Sequence, residues 1–386
     1  MLQDAIRGGR GYWTLVGFWG ALILIGMATW GYQLSEGLHV TGMTQDITWG
    51  IYIAQLTFMV GIAASAVMVV LPYYLHDYKA FGKLVILGEG LAIPSVLICM
   101  IFVFVDLGQP TRFANVLLHP SFNSVMFWDS IVLMGYLGLN LVIGAVTFDA
   151  ERKGAPPPKW VKPLIFLSIP WAVSIHTVTA FLYSGLEARP FWMTAILAPR
   201  FLASAFATGP SLLILLALIL RRYTNFDAGK VAIQKLAMIV AYAVAINLFF
   251  LLVELFTGLY SSMPHHIDAF QYMFFGLEGH NTLAPLMWVG QITGLICIVA
   301  IWTPKIRANE NFLAVICVAV ILALWIEKGV GMVVIGFIPA PLGQVTEYIP
   351  TLPEIMITIG VYSIGFLILT VFYKIITTVR ERLDPA

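Results

Sequence analysis

Charge is what this sequence has least of. Only 11% of its 386 residues are Asp, Glu, Lys or Arg, against about 25% in a soluble domain. Hydrophobic residues make up 60% and the mean hydropathy is +0.90. Only lipid solvates so apolar a chain, which excludes an ordinary soluble fold. Cysteine is nearly absent. Cys99, Cys297 and Cys317 all sit in apolar runs and form no CxxC pair, so neither a disulfide framework nor a thiolate metal site is indicated. There is no phosphate-cradling glycine loop, nucleophile elbow or HExxH. A membrane b-type haem wants paired histidines on facing helices. Of His39, His76, His119, His176, His265, His266 and His280, only His176 lies well inside an apolar run. His265, His266, Asp268 and His280 read more simply as a solvated or partner-facing loop than as a metal site. The chain is expected to hold no haem, no metal and no redox centre of its own.

What it has is apolar runs. About 20 mostly apolar residues cross a bilayer as a helix. The qualifying runs are 13–32, 48–75, 84–105, 125–148, 163–185, 200–220, 232–259, 284–303, 312–335 and 355–378. The fold class is therefore all-α integral membrane, with about ten spans in one membrane domain. The first run is too long for a signal-peptide core and is read as a retained helix. Glu327 and Lys328 interrupt the ninth.

Orientation follows from Lys and Arg placement. Of 21 basic residues, 17 fall in the even-numbered loops and the two termini, from Arg7 and Arg10 to Arg380 and Arg382. Arg112, Arg189, Arg200 and Lys328 fall on the other side. Both termini are thus expected in the cytoplasm, in a multi-pass protein of the cell membrane. The outer loops, 33–47, 106–124, 186–199, 260–283 and 327–354, are longer and richer in Pro, Gly, aromatics and carboxylates. They suit a docking surface. The most densely functionalised is Asp106–Trp128, with Asp106, Arg112 and His119, closed by Trp128 and punctuated by Pro110 and Pro120.

Ionisable groups inside membrane helices are costly and point to function. Glu89 falls on the third span toward the cytoplasm. Tyr52, Gln55, Asp129, His176 and Glu254 fall in the outer half of theirs. Such a set suits a pocket for a polar-headed lipophile. A quinone needs an apolar slot, hydrogen-bonding groups at its carbonyls and a proton-exchanging group. Tyr52, Gln55, Trp128 and His176 are the candidates for contact; Glu89, Asp129 and Glu254 are candidates for proton transfer. The plainer alternative is that these residues hydrogen-bond helix to helix.

Three stretches together resemble a known family: DLGQPTRF…HPSFNSVMFW (106–128), SIHTVTAFLYSGLEARPFW…APRFLASAFATG (174–209) and EKGVGMVVIGFIPAPLGQVTEYIPTLPE (327–354). The chain resembles the NrfD/polysulfide-reductase-C family of quinone-interacting membrane subunits. Within it, the chain is most similar to the long ten-helix branch found in DsrMKJOP-type complexes associated with sulfite reduction. The resemblance implies two four-helix bundles, within 48–185 and 200–335, flanked by the helices at 13–32 and 355–378. It implies a bound menaquinone in the first bundle, near Tyr52, Gln55 and His176. Shorter relatives carry a tyrosine where this chain has His176. It also implies an extracytoplasmic ferredoxin-like iron–sulfur partner docked on the outer face, with further membrane and cytochrome subunits, beside a loop roof shaped by Asp106, Arg112 and Arg189. A different class of function, an ion- or proton-translocating or solute-transporting protein, is the alternative; Pro94 and Gly331–Pro339 hint at interrupted helices. A pure membrane anchor for a redox partner is the third reading.

Overall fold

A computed structural model describes residues 8–383, without the side chains of Glu151, His265 and 380–383. Of the residues named above, Arg7 and the side chains of His265, Arg380 and Arg382 lie outside the described residues. Among the described residues, ten helices are long and apolar enough to cross a membrane. They are α1 (Arg10–Glu36), α2 (Ile51–Leu75), α3 (Lys79–Asp106), α4 (Val125–Ala150), α5 (Lys159–Ser184), α6 (Leu197–Tyr223), α7 (Lys230–Tyr260), α8 (Ala284–Trp302), α9 (Glu310–Ile335) and α10 (Leu352–Val379). No strand occurs among the described residues. The loops preceding α2, α4, α6, α8 and α10 define a long-loop face; the short connections define the other.

Packing closes two rings. Helix α2 lies on α3, α3 on α4, α4 on α5 and α5 back on α2; α6, α7, α8 and α9 close in the same way. The rings join where α2 meets α6 and the C-terminal part of α9. Helices α1 and α10 pair with one another, and α10 leans on α3. Lipid gives helices no hydrophobic reason to associate, so close backbone approach by small residues supplies the contact. Gly26 and Gly360 show this: a Cβ on Gly26 would stand 2.7 Å from the Gly360 Cα. Helix α2 is the opposite of α1. All of Ile51–Ala63 is buried, whereas α1 buries only Gly26 and Gln33.

Two features differ from the sequence expectations. Pro94 does not interrupt α3, which runs as one helix over Gly82–Asp106. The fifth long loop does not begin at residue 327, because α9 continues through Trp325–Gly331 as a π-helix and on to Ile335. Lys328 is therefore not a loop charge; it and Arg200, near the start of α6, are buried at 5% and 6% exposure. They escape the cost of isolated buried charge by pairing with groups on neighbouring helices. Asn309 caps the start of α9, its side chain accepting from the Asn311 and Phe312 N–H groups. A short helix, Pro264–Phe275, lies on the long-loop face between α7 and α8.

Candidate functional site

Gln55 sits one turn inside α2, about 6 Å below its first residue. It is fully buried. Its Oε1 accepts from Trp325 Nε1 at 2.7 Å and from the Tyr362 hydroxyl at 2.6 Å. An indole N–H only donates, so the atom facing it must be the oxygen, and the amide orientation is fixed by chemistry. The Nε2 is then left buried with no partner. It borders a cavity of about 480 Å³ between α1, α2, α3, α9 and α10. Phe58, Met59, Leu91, Ile98 and Phe366 give the cavity an apolar wall. Two further buried polar atoms on the same wall lack partners, Trp19 Nε1 and Thr358 Oγ1. An unpaired buried donor costs about 1–3 kcal/mol. Three around one void mark it as built for something other than hydrocarbon.

Behind Gln55, α5 turns a polar stripe toward α2 and α4. His176, Thr179 and Tyr183 follow helical spacing and are all fully buried. Tyr183 shares a hydrogen bond with Thr57 of α2. Thr179 donates to Asp129 Oδ1 at 2.6 Å. Neither ring nitrogen of His176 has a partner, and Lys328 is near enough to act on it electrostatically. Lys328 Nζ donates to the Phe201 carbonyl at 3.3 Å and lies 4.5 Å from the centre of the Phe201 ring. Gly61 makes room for it: a Cβ there would stand 3.3 Å from that Nζ.

In the second ring Arg200 bridges two carboxylates. Its Nη1 donates to Glu254 and its Nη2 to Glu327 Oε1 at 2.6 Å. Asn247 Nδ2 donates to both Glu327 oxygens at 3.0 Å. Glu254 Oε1 and Asn247 Oδ1 stay unpartnered. The π-helical turn of α9 aims three side chains three ways: Trp325 at Gln55, Glu327 at Arg200, and Lys328 between α2 and α6. Such turns recur at functional sites.

The other expected residues are placed apart. Tyr52 donates to Gln33 of α1 at 2.7 Å, and Gln33 donates to the Val105 carbonyl at 2.9 Å. Asp106 has one buried oxygen without a partner, and Glu354 stands near it. Arg112 is exposed and makes no ion pair with Asp106 among the described residues. Trp128 is 45% exposed and donates to the Phe122 carbonyl at 2.8 Å; it is not among the residues lining the cavity beside Gln55. Glu89 is buried in α3 and accepts from Thr147 at 3.0 Å. The structure thus joins Asp129 to the stripe that carries His176, and joins Glu254 to Arg200. It does not gather the carboxylates into one chain.

The long-loop face is fastened by polar ties. Arg189 donates to the carbonyls of Phe337 at 3.0 Å and Asp46 at 2.9 Å, with its guanidinium 4.5 Å from the centre of the Phe337 ring. Burial pushes its pKa down against the opposing pull of Asp46. Glu354 accepts from Gly42 N, Tyr348 and Thr351, and burial together with Glu354 pushes the Tyr348 hydroxyl up. Burial also raises the Glu347 carboxyl, but bonds from Thr282, Tyr272 and His280 outweigh it and hold it below the usual range.

Sequence reasoning missed Trp325, Tyr362, Trp19 and Thr358, which sit in ordinary apolar runs. Arg200, Glu327 and Lys328 carry a signal, as charges at the edge of such a run or interrupting one, but nothing in the sequence pairs them.

Known proteins resemble the chain along most of its length. A Halobacterium salinarum protein assigned as a membrane subunit of dimethyl sulfoxide reductase is 27% identical, covering 98% of this chain and 93% of its own. The Hdr-like menaquinol oxidoreductase integral membrane subunit of Archaeoglobus fulgidus is 22% identical over 96% and 94%. A selenate reductase subunit of Mesobacillus selenatarsenatis is 24% identical over 78% and 76%. The model of the NrfD polysulphide reductase family matches residues 39–330. This multi-pass membrane protein belongs to the NrfD polysulphide reductase family.

Proposed function

We propose that this chain is the quinone-interacting membrane subunit of a respiratory oxidoreductase complex. The Gln55 amide carries the reading: a donor fixed by Trp325 and Tyr362, left unpaired, on the wall of a lipid-side apolar cavity. Those residues fit a quinone. Gln55 Nε2 would donate to a ring carbonyl, and Thr358 and Trp19 offer further hydroxyl and N–H groups along the wall. The apolar lining excludes water. A bound menaquinone would supply a lipid-soluble carrier of two electrons and two protons.

The finer assignment extends this. The carrier is menaquinone, as the name of the A. fulgidus relative suggests. The long-loop face is extracytoplasmic, as the basic residues of the short loops favour. A ferredoxin-like iron–sulfur subunit docks there, beside Trp49, Trp192 and Phe337, whose rings pack with centroids 5.1–5.9 Å apart. Asp106, Arg112 and Arg189 belong to that roof, and Trp128 to its rim. The motifs favour a complex of the DsrMKJOP type, with further membrane and cytochrome subunits, in dissimilatory sulfur metabolism. His176 and Asp129 hold protons behind Gln55, and Glu89 lies on a route from the opposite face.

Replacing Gln55 with Leu in the purified complex tests this. Quinol-linked electron transfer should fall at least tenfold, which is about 1.4 kcal/mol, while assembly holds; the thermal midpoint falls by a few degrees at most, because Trp325 and Tyr362 lose their acceptor. Unchanged turnover overturns the site. A second reading, ion or proton translocation, is favoured by the buried Arg200–Glu254–Glu327–Asn247 network and Lys328. Proton movement by the complex in sealed vesicles that vanishes in Glu327→Gln, with electron transfer intact, would support it.

A further inference from the structure

A second cavity lies in the other ring, and neither the family match nor the Gln55 reading accounts for it. It measures about 660 Å³ and is bounded by α7, α8 and the short helix Pro264–Phe275. Leucines of α7 form one wall. Phe270, Phe274, Phe275 and Trp288 form the other. Trp288 Nε1 donates to the Phe274 carbonyl at 2.8 Å, which fastens the short helix over the void. The cavity opens sideways to lipid, where Leu252, Leu259 and Phe275 are exposed.

At its inner end stands Gln291. Its side chain makes no hydrogen bond among the described residues, and its Nε2 is buried. Gln291 also borders a void of about 10 Å³ shared with Asn247 and Glu327, room for about one water. One unsatisfied amide therefore separates a lipid-open aromatic cavity from a buried carboxylate network.

We infer that this cavity takes the flat ring of a second quinone or quinol, with Gln291 on its carbonyl or hydroxyl. An amide can donate to the one and accept from the other. Aromatic walls suit a planar ring by offset or edge-on packing. Among the described residues no Lys or Arg lines the cavity, so a phospholipid phosphate finds no cationic partner there. The cavity is laterally open, so such a ligand enters from the bilayer without crossing the long-loop face.

Photolabelling of the purified complex with an azido-quinone, followed by peptide mapping, tests the inference. Label should appear on the α7–α8 segment as well as around Gln55. Gln291→Leu, and independently Leu252→Trp at the lipid-facing mouth, should each lower the α7–α8 label at least fivefold and leave the Gln55 label unchanged. The unchanged label also verifies folding. Gln55→Leu should do the converse, so the two sites fail separately. Absence of α7–α8 label, label indifferent to both variants, or a photoreactive phospholipid showing the same dependence on Gln291 would overturn the inference.

Discussion

Arg200→Met probes the energetics of the second ring most directly. Arg200 is 6% exposed and is the bridge between Glu254 and Glu327. Removing it leaves Glu254, which already has one unpartnered oxygen, without its donor. Glu327 keeps its two bonds from Asn247. Breaking one side of a buried ion pair costs about 3–5 kcal/mol, because the abandoned charge stays desolvated. Unfolding entropies scale at about 2.1 cal/mol/K per residue. For a chain of 386 residues the thermal midpoint should therefore fall by roughly 4–6 °C. Tryptophan fluorescence of detergent-solubilised protein during heating measures this. The abandoned charges can also be removed. Adding Glu254→Leu and Glu327→Gln should restore at least half the loss, since a well-packed apolar replacement of a buried pair is often neutral. A single variant within about 1 °C of the parent, or a triple variant no better than the single, would refute the idea that paired charge is what α6, α7 and α9 exchange here.

Other expectations concern the edges of the fold. Glu347 is held below its usual 4.5 by Thr282, Tyr272 and His280. A depressed folded value means its stabilisation is present above the unfolded value and is lost as pH falls through the folded one. Exchange protection of the Thr282 N–H should therefore persist at pH 6 and fall as the pH drops below 4.5. In Glu347→Ala it should be low at both. Gly360→Leu should separate α1 from α10, since even a Cβ at that crossing meets the Gly26 Cα at 2.7 Å. A full-strength thermal midpoint in Gly360→Leu would count against the contact. For orientation, a single cysteine replacing Phe122 should react with an impermeant maleimide added to intact cells, and one replacing Lys159 only after the cells are opened; the reverse would place the long loops in the cytoplasm.

Much of the scaffold is legible in the residues. Span count needs only length and hydropathy, and ten apolar runs became ten helices. The spacing of His176, Thr179 and Tyr183 already puts them on one face of a helix. What the chain order hides is partnership. Gln55 stands out as polar in an oily segment, but nothing near it in sequence announces Trp325 or Tyr362, some 270 and 307 positions away. Glu327 and Lys328 are visible as an interruption. Their pairing across helices, which makes them tolerable at depth, belongs to tertiary packing. Asp106 and Arg112 show the reverse case: neighbours in sequence that the loop keeps apart.

The wall around Gln55 also has an order of manufacture. Trp19 precedes Gln55 in the order of synthesis, while Thr358 and Tyr362 follow α9. Until α10 swings in beside α1, the Gln55 carbonyl lacks one of its two donors and the chamber is a gutter open to the bilayer. Chains cut before α10 should therefore insert normally yet lack the Thr358 and Tyr362 side of that wall, so that closure of the chamber reports the docking of α10 rather than insertion.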